Sequence, residues 1–280
     1  MQTDIKISIL GCGWLGLPLA EKLVQLGFPV KGSTTTPNKL NTLAATGIQP
    51  YLIHLESATT QTLADFLKTD ILIISFPPKI RAGIGTAYVN QINFLQQAIQ
   101  QASLHHILFI SSTAVYPDSN TIITETLDIA DSLSPNYLLQ AEELIRNTQV
   151  PTTILRLAGL VGLNRHPGRF FAGKENVPNP QRPVNLIHLD DCLQIILEII
   201  KQNKWNQVYN ACADEHPSRQ EFYTTATAAL NLPLPHFAAP GPADTFKIIS
   251  SEKLKKDLQY RFINPNPMLF REILQKNKEV

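Results

Sequence analysis

Three glycines near the start of the chain have the spacing of a phosphate-binding turn. They form a Gly-x-Gly-x-x-Gly pattern directly after the apolar run 5–10, and a helical pattern follows. In this order of elements, the first glycine permits a tight turn, the second lets a pyrophosphate approach the backbone, and the third lets the helix pack against the strand. The first N–H groups of the helix then face the phosphates. We predict a dinucleotide site formed by Gly11, Gly13, Trp14, Leu15 and Gly16; the alternative is a glycine-rich turn without a ligand.

The second predicted strand covers 29–33. This strand and the segment that follows it bear on which dinucleotide binds. NAD sites usually hold the ribose 2′-hydroxyl with an Asp or Glu about 20 residues beyond the first glycines. No acidic residue lies between Glu21 and Glu56. Positive charge and hydroxyl donors are present instead, at Lys31, Ser33, Thr34, Thr35 and Lys39. We therefore predict NADP as the cofactor, with NAD as the second choice, and assign the last four of these residues to its site. The alternative is a polar turn.

Two later apolar runs end in residues that should face the same edge of a parallel sheet. The run 71–74 ends in Ser75, Phe76 and Pro77, and the run 107–110 ends in a cluster of hydroxyls that begins with Ser111. In a doubly wound sheet the ligand lies outside the carboxyl ends of the strands. We predict that these four residues bind the cofactor, the first three of them beside its nicotinamide half. The alternatives are a strand terminator at the first end and capping or turn hydroxyls at the second.

Strand and helix patterns alternate along the chain. The alternation predicts an α/β protein with a doubly wound, mostly parallel sheet of about seven strands and a small carboxyl-terminal α/β lobe. The 280 residues are 44% hydrophobic and 17% charged, and 24 basic residues balance 23 acidic ones. No field of one sign favours nucleic acid or an anionic membrane surface. The three cysteines lack metal-ligand spacing, and no signal-peptide pattern or membrane-spanning run is found. We expect a cytoplasmic protein without a bound metal.

A long basic loop, residues 158–183, follows the sixth predicted strand. Loops of this length inside a compact domain are usually functional or disordered. Four basic side chains stand against one acid: Arg165, Arg169, Lys174 and Arg182 against Glu175. Because Arg offers a planar, bidentate donor set for a phosphate, we predict an anionic small-molecule substrate that is bound by the three arginines. The alternative is a solvated surface loop.

The predicted domains divide the chain near this loop. Residues 1–160 are predicted to form the dinucleotide-binding domain and 161–280 mainly a substrate-binding lobe, with 184–212 returning to the central sheet. His188 precedes a helical pattern in the returning segment. It either contacts the substrate or is a structural histidine.

The hydroxyl cluster belongs to a longer motif, Ser-Ser-Thr-Ala-Val-Tyr at 111–116. With this motif the sequence resembles the extended short-chain dehydrogenase/reductase superfamily, which includes nucleotide-sugar epimerases and dehydratases. The resemblance covers most of the chain, including the glycine turn, Thr124-Glu125, the strand with Arg156 and the segment 184–191. It implies an NADP-dependent oxidoreductase, epimerase or dehydratase that acts on a nucleotide-linked sugar or a similar phosphorylated compound. It also implies that Thr113 holds the reacting oxygen and that Tyr137 or Tyr116 moves a proton.

The sequence departs from this superfamily at the catalytic pair, a tyrosine followed four residues later by a lysine that lowers its pKa. Ala141 stands four residues after Tyr137. Aligning instead on the Ala-Glu-Glu-Leu segment puts Ser134 or Pro135 in place of the tyrosine and Leu138 or Leu139 in place of the lysine. The chain is therefore similar to the atypical members, which keep the nucleotide-binding fold and lose Tyr-x-x-x-Lys.

Two further expectations follow from the resemblance. Without the lysine, the alternative function is a non-catalytic NADP(H)-binding redox sensor or regulatory protein. Superfamily members often dimerise through two helices, which correspond here to 86–102 and 135–148, so a homodimer is predicted.

Overall fold

The apolar runs of the sequence form the strands of one central sheet. The computed structural model describes residues 4–57, 59–78, 85–129, 136–241 and 245–274. Its strands are β1 Ile7–Leu10, β2 Val30–Thr34, β3 Gln49–Leu52, β4 Ile71–Ile74, β5 His106–Ser112, β6 Ile122–Ile123, β7 Thr152–Leu157, β8 Gly159–Val161, β9 Leu186–His188, β10 Val208–Ala211 and β11 Ile248–Ile249. Its α-helices are α1 Gly16–Gln25, α2 Lys39–Ala45, α3 Thr60–Phe66, α4 Gly85–Ile99, α5 Tyr137–Arg146, α6 Leu189–Lys201, α7 Arg219–Ala229, α8 Glu252–Leu258 and α9 Arg271–Leu274.

Within the described ranges, seven strands form the central sheet in the order β10-β7-β5-β4-β1-β2-β3. β1 pairs with β2 and β4, β2 with β3, and β4 with β5, and each of these pairs is parallel. All residues of β1 and β4 are buried, as expected for strands of a parallel sheet that helices cover. The predicted doubly wound α/β fold is confirmed. Because the strand order reverses beside β1, the crevice at the carboxyl ends of β1 and β4 is where such a sheet binds its ligand.

The chain divides into two units. Unit 1 comprises Met1–Val115, Ser132–Arg156 and Ile199–Val208, and unit 2 comprises Tyr116–Asp131, Leu157–Glu198 and Tyr209–Val280. Unit 2 contains two small parallel sheets, one of β6 with β11 and one of β8 with β9. The boundaries of these two units differ from those of the predicted domains, 1–160 and 161–280. The cofactor-binding and substrate-binding roles of the predicted domains stay predictions.

The core of unit 2 is built from the small sheet of β8 and β9 together with α7 and α9. Its buried side chains are Val161, Val184, Leu186, Ala213, Phe222, Ala226, Phe270 and Ile273. A buried carboxylate in the first turn of α6, Asp191, accepts hydrogen bonds from the Tyr260 hydroxyl, the Ile263 N–H, and both the backbone and the side chain of Asn264. These four donors hold the segment 260–264 against α6.

Two predicted elements of unit 2 differ from the structure. The basic loop 158–183 contains β8 and a short 3₁₀ helix, Pro167–Arg169. The sequence pattern over 268–275 predicts one helix, whereas in the structure a 3₁₀ helix at Pro267–Leu269 precedes α9; Gln275 lies outside the described residues. No helix in the described ranges has both the length and the apolar content that a membrane span requires.

Candidate functional site

The turn after β1 needs glycine at two positions for reasons internal to the chain. Gly11 has a φ of +105°, and a Cβ on it would lie 3.0 Å from the backbone nitrogen of Phe76. A Cβ on Gly16 would lie 2.2 Å from the carbonyl oxygen of Gly11, so only glycine lets α1 begin this close to the strand. The Gly11 N–H donates to the hydroxyl of Ser33 at 2.8 Å, which joins the turn to the end of β2.

At the middle glycine of the pattern, Gly13, no contact within the described part of the chain requires glycine. A Cβ on Gly13 would meet no atom within 4 Å. Beside it, α1 begins at Gly16; its N-cap residue, Leu15, provides no side-chain cap, and its first turn contains no acidic residue. The open space and the uncapped N–H groups together form a cradle that suits a phosphate, since the amino end of a helix carries a partial positive charge.

A cavity of about 430 Å³ in unit 1, here called the dinucleotide cavity, opens beside this cradle. It is lined by the glycine turn, by the residues that follow β2, β3 and β4, and by one side of α4. Nine predicted cofactor residues lie in its wall: Gly11, Gly13, Ser33, Thr34, Thr35, Lys39, Ser75, Phe76 and Pro77. The remaining four, Trp14, Leu15, Gly16 and Ser111, are not part of this wall.

Some polar groups of the cavity already have hydrogen-bond partners among the residues that the structure describes, and others do not. The Thr34 hydroxyl accepts a hydrogen bond from the Thr36 N–H at 3.1 Å, while Thr35 and Lys39 are exposed. Among the described residues, none hydrogen-bonds the buried hydroxyl oxygen of Ser75. A buried hydroxyl without a partner is costly, so this atom suits a ligand that fills the cavity.

The cavity is also lined by residues that the sequence did not predict, among them His54, Glu56, Tyr88 and Gln91. His54 and Glu56 follow β3, so the rule about carboxyl ends of strands, which we applied to β4 and β5, would have found them. The side-chain amide of Gln91 donates to the carboxylate of Glu56. The dinucleotide cavity therefore contains a carboxylate that the sequence comparison with NAD sites did not place there.

The hydroxyl cluster at the end of β5 lies in unit 1, and its three members do different things. The Ser111 hydroxyl donates to the Glu142 carboxylate at 2.5 Å. The Ser112 hydroxyl accepts from the Ala114 N–H at 3.1 Å, which is the capping role given above as the alternative. Thr113 is buried and begins a 3₁₀ helix, Thr113–Val115.

Tyr137 is the first residue of α5 and also lies in unit 1. A Cβ on Gly85 would lie 2.2 Å from the ring of Tyr137, so the ring packs directly on the amino end of α4. The motif lysine would stand at Ala141 in the first alignment and at Leu138 or Leu139 in the second. Leu138 and Ala141 are both buried. Ser134 and Pro135, the other residues of the alternative alignment, lie outside the described residues.

Glu142 on the same helix forms a buried ion pair. Arg156 donates to it from Nε at 3.0 Å and from Nη2 at 2.5 Å. Only 3% of Glu142 and 6% of Arg156 is exposed. The negative charge of Glu142 also contributes to raising the pKa of Tyr88, although burial of that tyrosine is the larger cause.

The predicted substrate residues and Tyr116 lie in unit 2. Arg165 and Arg169 are exposed, whereas Arg182 is paired with Asp118 at 2.8 Å. The Tyr116 hydroxyl donates to Asn210 at 2.9 Å. Tyr116 and Arg182 thus already have partners inside unit 2.

His188 is 1% exposed and bonded at both ring nitrogens. Nδ1 accepts from the Asp190 N–H at 3.2 Å, and Nε2 contacts the Glu272 carboxylate at 3.1 Å. Burial raises the pKa of Glu272, but the hydrogen bond from His188 outweighs it with the help of other donors, and the net pKa is about 2. These contacts match the structural alternative for His188.

Comparisons with known proteins agree with this fold. No family model matches the chain. Protein YeeZ of Escherichia coli (strain K12) is 35% identical over 274 residues, which cover 94% of this chain and 98% of YeeZ. A solved structure from Methylobacillus flagellatus, provisionally assigned as an NAD-dependent epimerase/dehydratase, is 27% identical with a TM-score of 0.73 and covers 94% of this chain and 95% of that one.

A more distant structure has the same fold. MoeE5 in complex with UDP-glucose and NAD superposes with a TM-score of 0.77 at 16% identity, covering 97% of each chain. At that identity the likeness concerns the fold alone.

Proposed function

The chain belongs to the family of the Escherichia coli protein YeeZ, and from that premise we propose that it binds a nicotinamide dinucleotide and acts as an oxidoreductase, epimerase or dehydratase. The proposed substrate is a nucleotide-linked sugar or a similar phosphorylated small molecule. MoeE5 was solved with UDP-glucose and NAD, and the shared fold supports this substrate class. The proposal also places the chain among the atypical members that lack the motif lysine.

The single observation that carries the proposal is the cradle at the start of α1. Gly13 faces open space, α1 has no capping side chain, and the dinucleotide cavity begins beside both. Backbone N–H groups of the first turn of α1 would bind the pyrophosphate, while the Gly13 N–H itself donates to the Gly11 carbonyl at 2.8 Å. Ser75 would satisfy its buried hydroxyl on the nicotinamide half.

NADP is the proposed cofactor, because the donors on the rim suit a 2′-phosphate. Thr35 and Lys39 are exposed at the cavity, next to the end of β2. Glu56 in the same wall accepts a hydrogen bond from Gln91, and its negative charge would oppose a phosphate and favour NAD. NAD is the alternative outcome of the binding experiment.

The first candidates for the chemistry of the chain's own groups, Thr113 and Tyr137, lie in unit 1. A bound nicotinamide ring supplies the acceptance and return of hydride. Thr113 would hold the reacting oxygen through its hydroxyl, and Tyr137, at the start of α5, would take or return the proton. Tyr116 is the second candidate for proton transfer, although its hydroxyl is donated to Asn210.

The packing of α5 favours a second candidate function, a non-catalytic NADP(H)-binding redox sensor. The helix Tyr137–Arg146 contains no lysine, and Leu138 and Ala141 are both buried. A sensor would need the cradle and the cavity but not a proton-transferring tyrosine. It would bind NADP and NADPH with different affinities and convert no substrate.

Calorimetric titration with NADP, NADPH, NAD and NADH tests the binding proposal. We expect the native chain to bind NADP, and Gly13→Val, whose side chain would fill the cradle, to lose at least tenfold in affinity. Lys39→Glu should weaken NADP by about 10- to 100-fold, since a charge-assisted hydrogen bond contributes about 1.5 to 3 kcal/mol. Lys22→Glu is the matched control, because Lys22 is exposed on α1 and does not line the cavity. Absence of heat for all four dinucleotides would refute the proposal.

Turnover is tested with a panel of UDP- and dTDP-linked sugars. Reduced nicotinamide is followed by absorbance, and isomerised or dehydrated sugars by chromatography, because epimerisation produces no net reduced cofactor. An enzyme should convert one of the sugars, and Thr113→Val should abolish the conversion. Binding without conversion, with unequal affinities for NADP and NADPH, would instead support the sensor.

A further inference from the structure

Two side chains of α5 connect this helix to the turn that carries Thr113. The first is Asn136, the residue that caps α5. Its Oδ1 accepts from the Leu139 N–H at 3.3 Å, and its Nδ2 donates to the carbonyl oxygen of Val115 at 2.9 Å. The side-chain amide of Asn136 therefore caps the amino end of α5 and also binds the 3₁₀ helix Thr113–Val115.

The second is Glu142, which is buried six residues, or about one and two-thirds turns, further along the helix. Its carboxylate accepts from the Ser111 hydroxyl at 2.5 Å and from two nitrogens of Arg156. Arg156 lies on β7, the strand next to β5. The arginine thus fixes the carboxylate, and the carboxylate fixes the hydroxyl at the end of β5.

The two contacts bracket both proposed reacting groups. On one side, Ser111 and Val115 lie two residues before and two residues after Thr113. On the other side, Asn136 and Glu142 lie one residue before and five residues after Tyr137. Because the helix rises about 1.5 Å per residue, the two attachment points on α5 are about 9 Å apart. Two attachments at this separation oppose sliding of the turn along the helix and tilting of the turn against it.

We infer that Asn136 and Glu142 are positioning residues that fix Thr113 relative to Tyr137, an inference that rests on the proposed function. Neither needs to touch substrate or cofactor. Hydrogen bonds in a buried network depend strongly on direction, so they define one orientation of the turn. A displacement of about 1 Å between reacting groups can lower a rate by about 100-fold.

Two substitutions each remove one of these contacts, and Asn136→Asp also places a carboxylate oxygen against the Val115 carbonyl, which repels it. Ser111→Ala deletes the bond to Glu142 and leaves the pair with Arg156 intact. Asn136→Asp keeps the oxygen that caps α5 and deletes the donor to Val115. The matched controls are Ser8→Ala, which loses a buried serine bond of 2.8 Å to the Phe66 carbonyl, and Asn266→Asp, a capping asparagine of unit 2.

The measurements are kcat, KM, dinucleotide affinity and amide hydrogen exchange at residues 112–115. We expect Ser111→Ala and Asn136→Asp to lower kcat by about 10- to 100-fold, with KM and dinucleotide affinity within threefold of the native chain. Exchange at 112–115 should accelerate in both. Both control variants should keep the native kcat and the native exchange at these residues, even if Ser8→Ala is less stable.

The outcomes separate this inference from the proposed function. Native exchange at 112–115 in both test variants would overturn the inference whatever the turnover. Faster exchange with an unchanged kcat would overturn the positioning role and leave the proposed function standing. If the native chain converts no sugar nucleotide, the proposed function fails and the positioning role with it, while the exchange data still show whether the two contacts hold the turn.

Discussion

The buried pair of Glu142 and Arg156 gives the sharpest stability prediction. Glu142→Gln keeps the shape of the side chain and an acceptor for Ser111, but it removes the charge that compensates the guanidinium. Since the two side chains are only 3% and 6% exposed, solvent screens the loss little. Removing one partner of such a pair costs about 3–5 kcal/mol.

The companion variants isolate the charge. Arg156→Met leaves the carboxylate uncompensated and should also destabilise the protein. The double variant Glu142→Gln/Arg156→Met removes both charges, keeps an acceptor for the Ser111 hydroxyl and fills most of the arginine's volume. Because the double variant leaves no uncompensated buried charge, which is what makes each single variant costly, it should be more stable than either single variant by about 2 kcal/mol.

Urea and thermal unfolding followed by tryptophan fluorescence measure this directly. The chain has two tryptophans, Trp14 and Trp205, and both lie in unit 1 with the ion pair. A loss of about 3–5 kcal/mol corresponds to a fall in the unfolding midpoint of about 6 to 20 °C for a unit of this size. A loss below about 1 kcal/mol for Glu142→Gln, or a double variant no more stable than the singles, would refute the reasoning.

Three more predictions concern other parts of the chain. Gly16→Ala should lower the unfolding midpoint because its Cβ would meet the carbonyl of Gly11, whereas Gly13→Ala should leave that midpoint unchanged; equal effects would contradict this difference. Asp191→Ala should destabilise unit 2 by about 1 to 3 kcal/mol, since it leaves the buried Tyr260 hydroxyl without its acceptor and three partly buried donors unsatisfied, and hydrogen exchange at 260–264 would detect it. Because the folded pKa of Glu272 is about 2, below its ordinary 4.5, its ionised form stabilises the fold above pH 4.5 and loses this effect as the pH falls toward 2. The stability difference between the native chain and Glu272→Gln, measured by urea unfolding, should therefore shrink from pH 7 to pH 2.5, and a constant difference would contradict the assignment.

The central sheet could be predicted because each of its strands is a local signal. The runs around β1 and β4 are almost entirely apolar, and the glycine spacing places a turn after the first of them. The ends of β1 and β4 follow from these runs alone, and nine predicted cofactor residues do line one cavity. The features that could be predicted, strands and the turns after them, depend on residues that are close together in the chain.

The contacts that could not be predicted join residues far apart in the chain. Ser111 and Glu142 are 31 residues apart, His188 and Glu272 84, and Asn264 is 73 residues from Asp191. A serine that follows a strand has the same local pattern whether it faces a ligand or a buried carboxylate. The packing of α5 beside β5 decides between a ligand and a carboxylate, and the local sequence does not show this packing. The sequence pattern therefore predicts that Ser111 binds the cofactor, whereas its hydroxyl donates to Glu142.

The packing of α5 also limits how the proposed enzyme could work. A lysine at Leu138 or Ala141 would place an ammonium group in a buried position, which costs several kcal/mol unless a carboxylate compensates it. The buried carboxylate of this helix, Glu142, is already bonded to Arg156 and Ser111. The chain thus uses its buried acid on α5 to hold the turn of Thr113 rather than to support a lysine. If the protein is an enzyme, proton transfer must rely on the placement of Thr113 and a tyrosine, which makes kcat unusually sensitive to the two contacts that fix that turn.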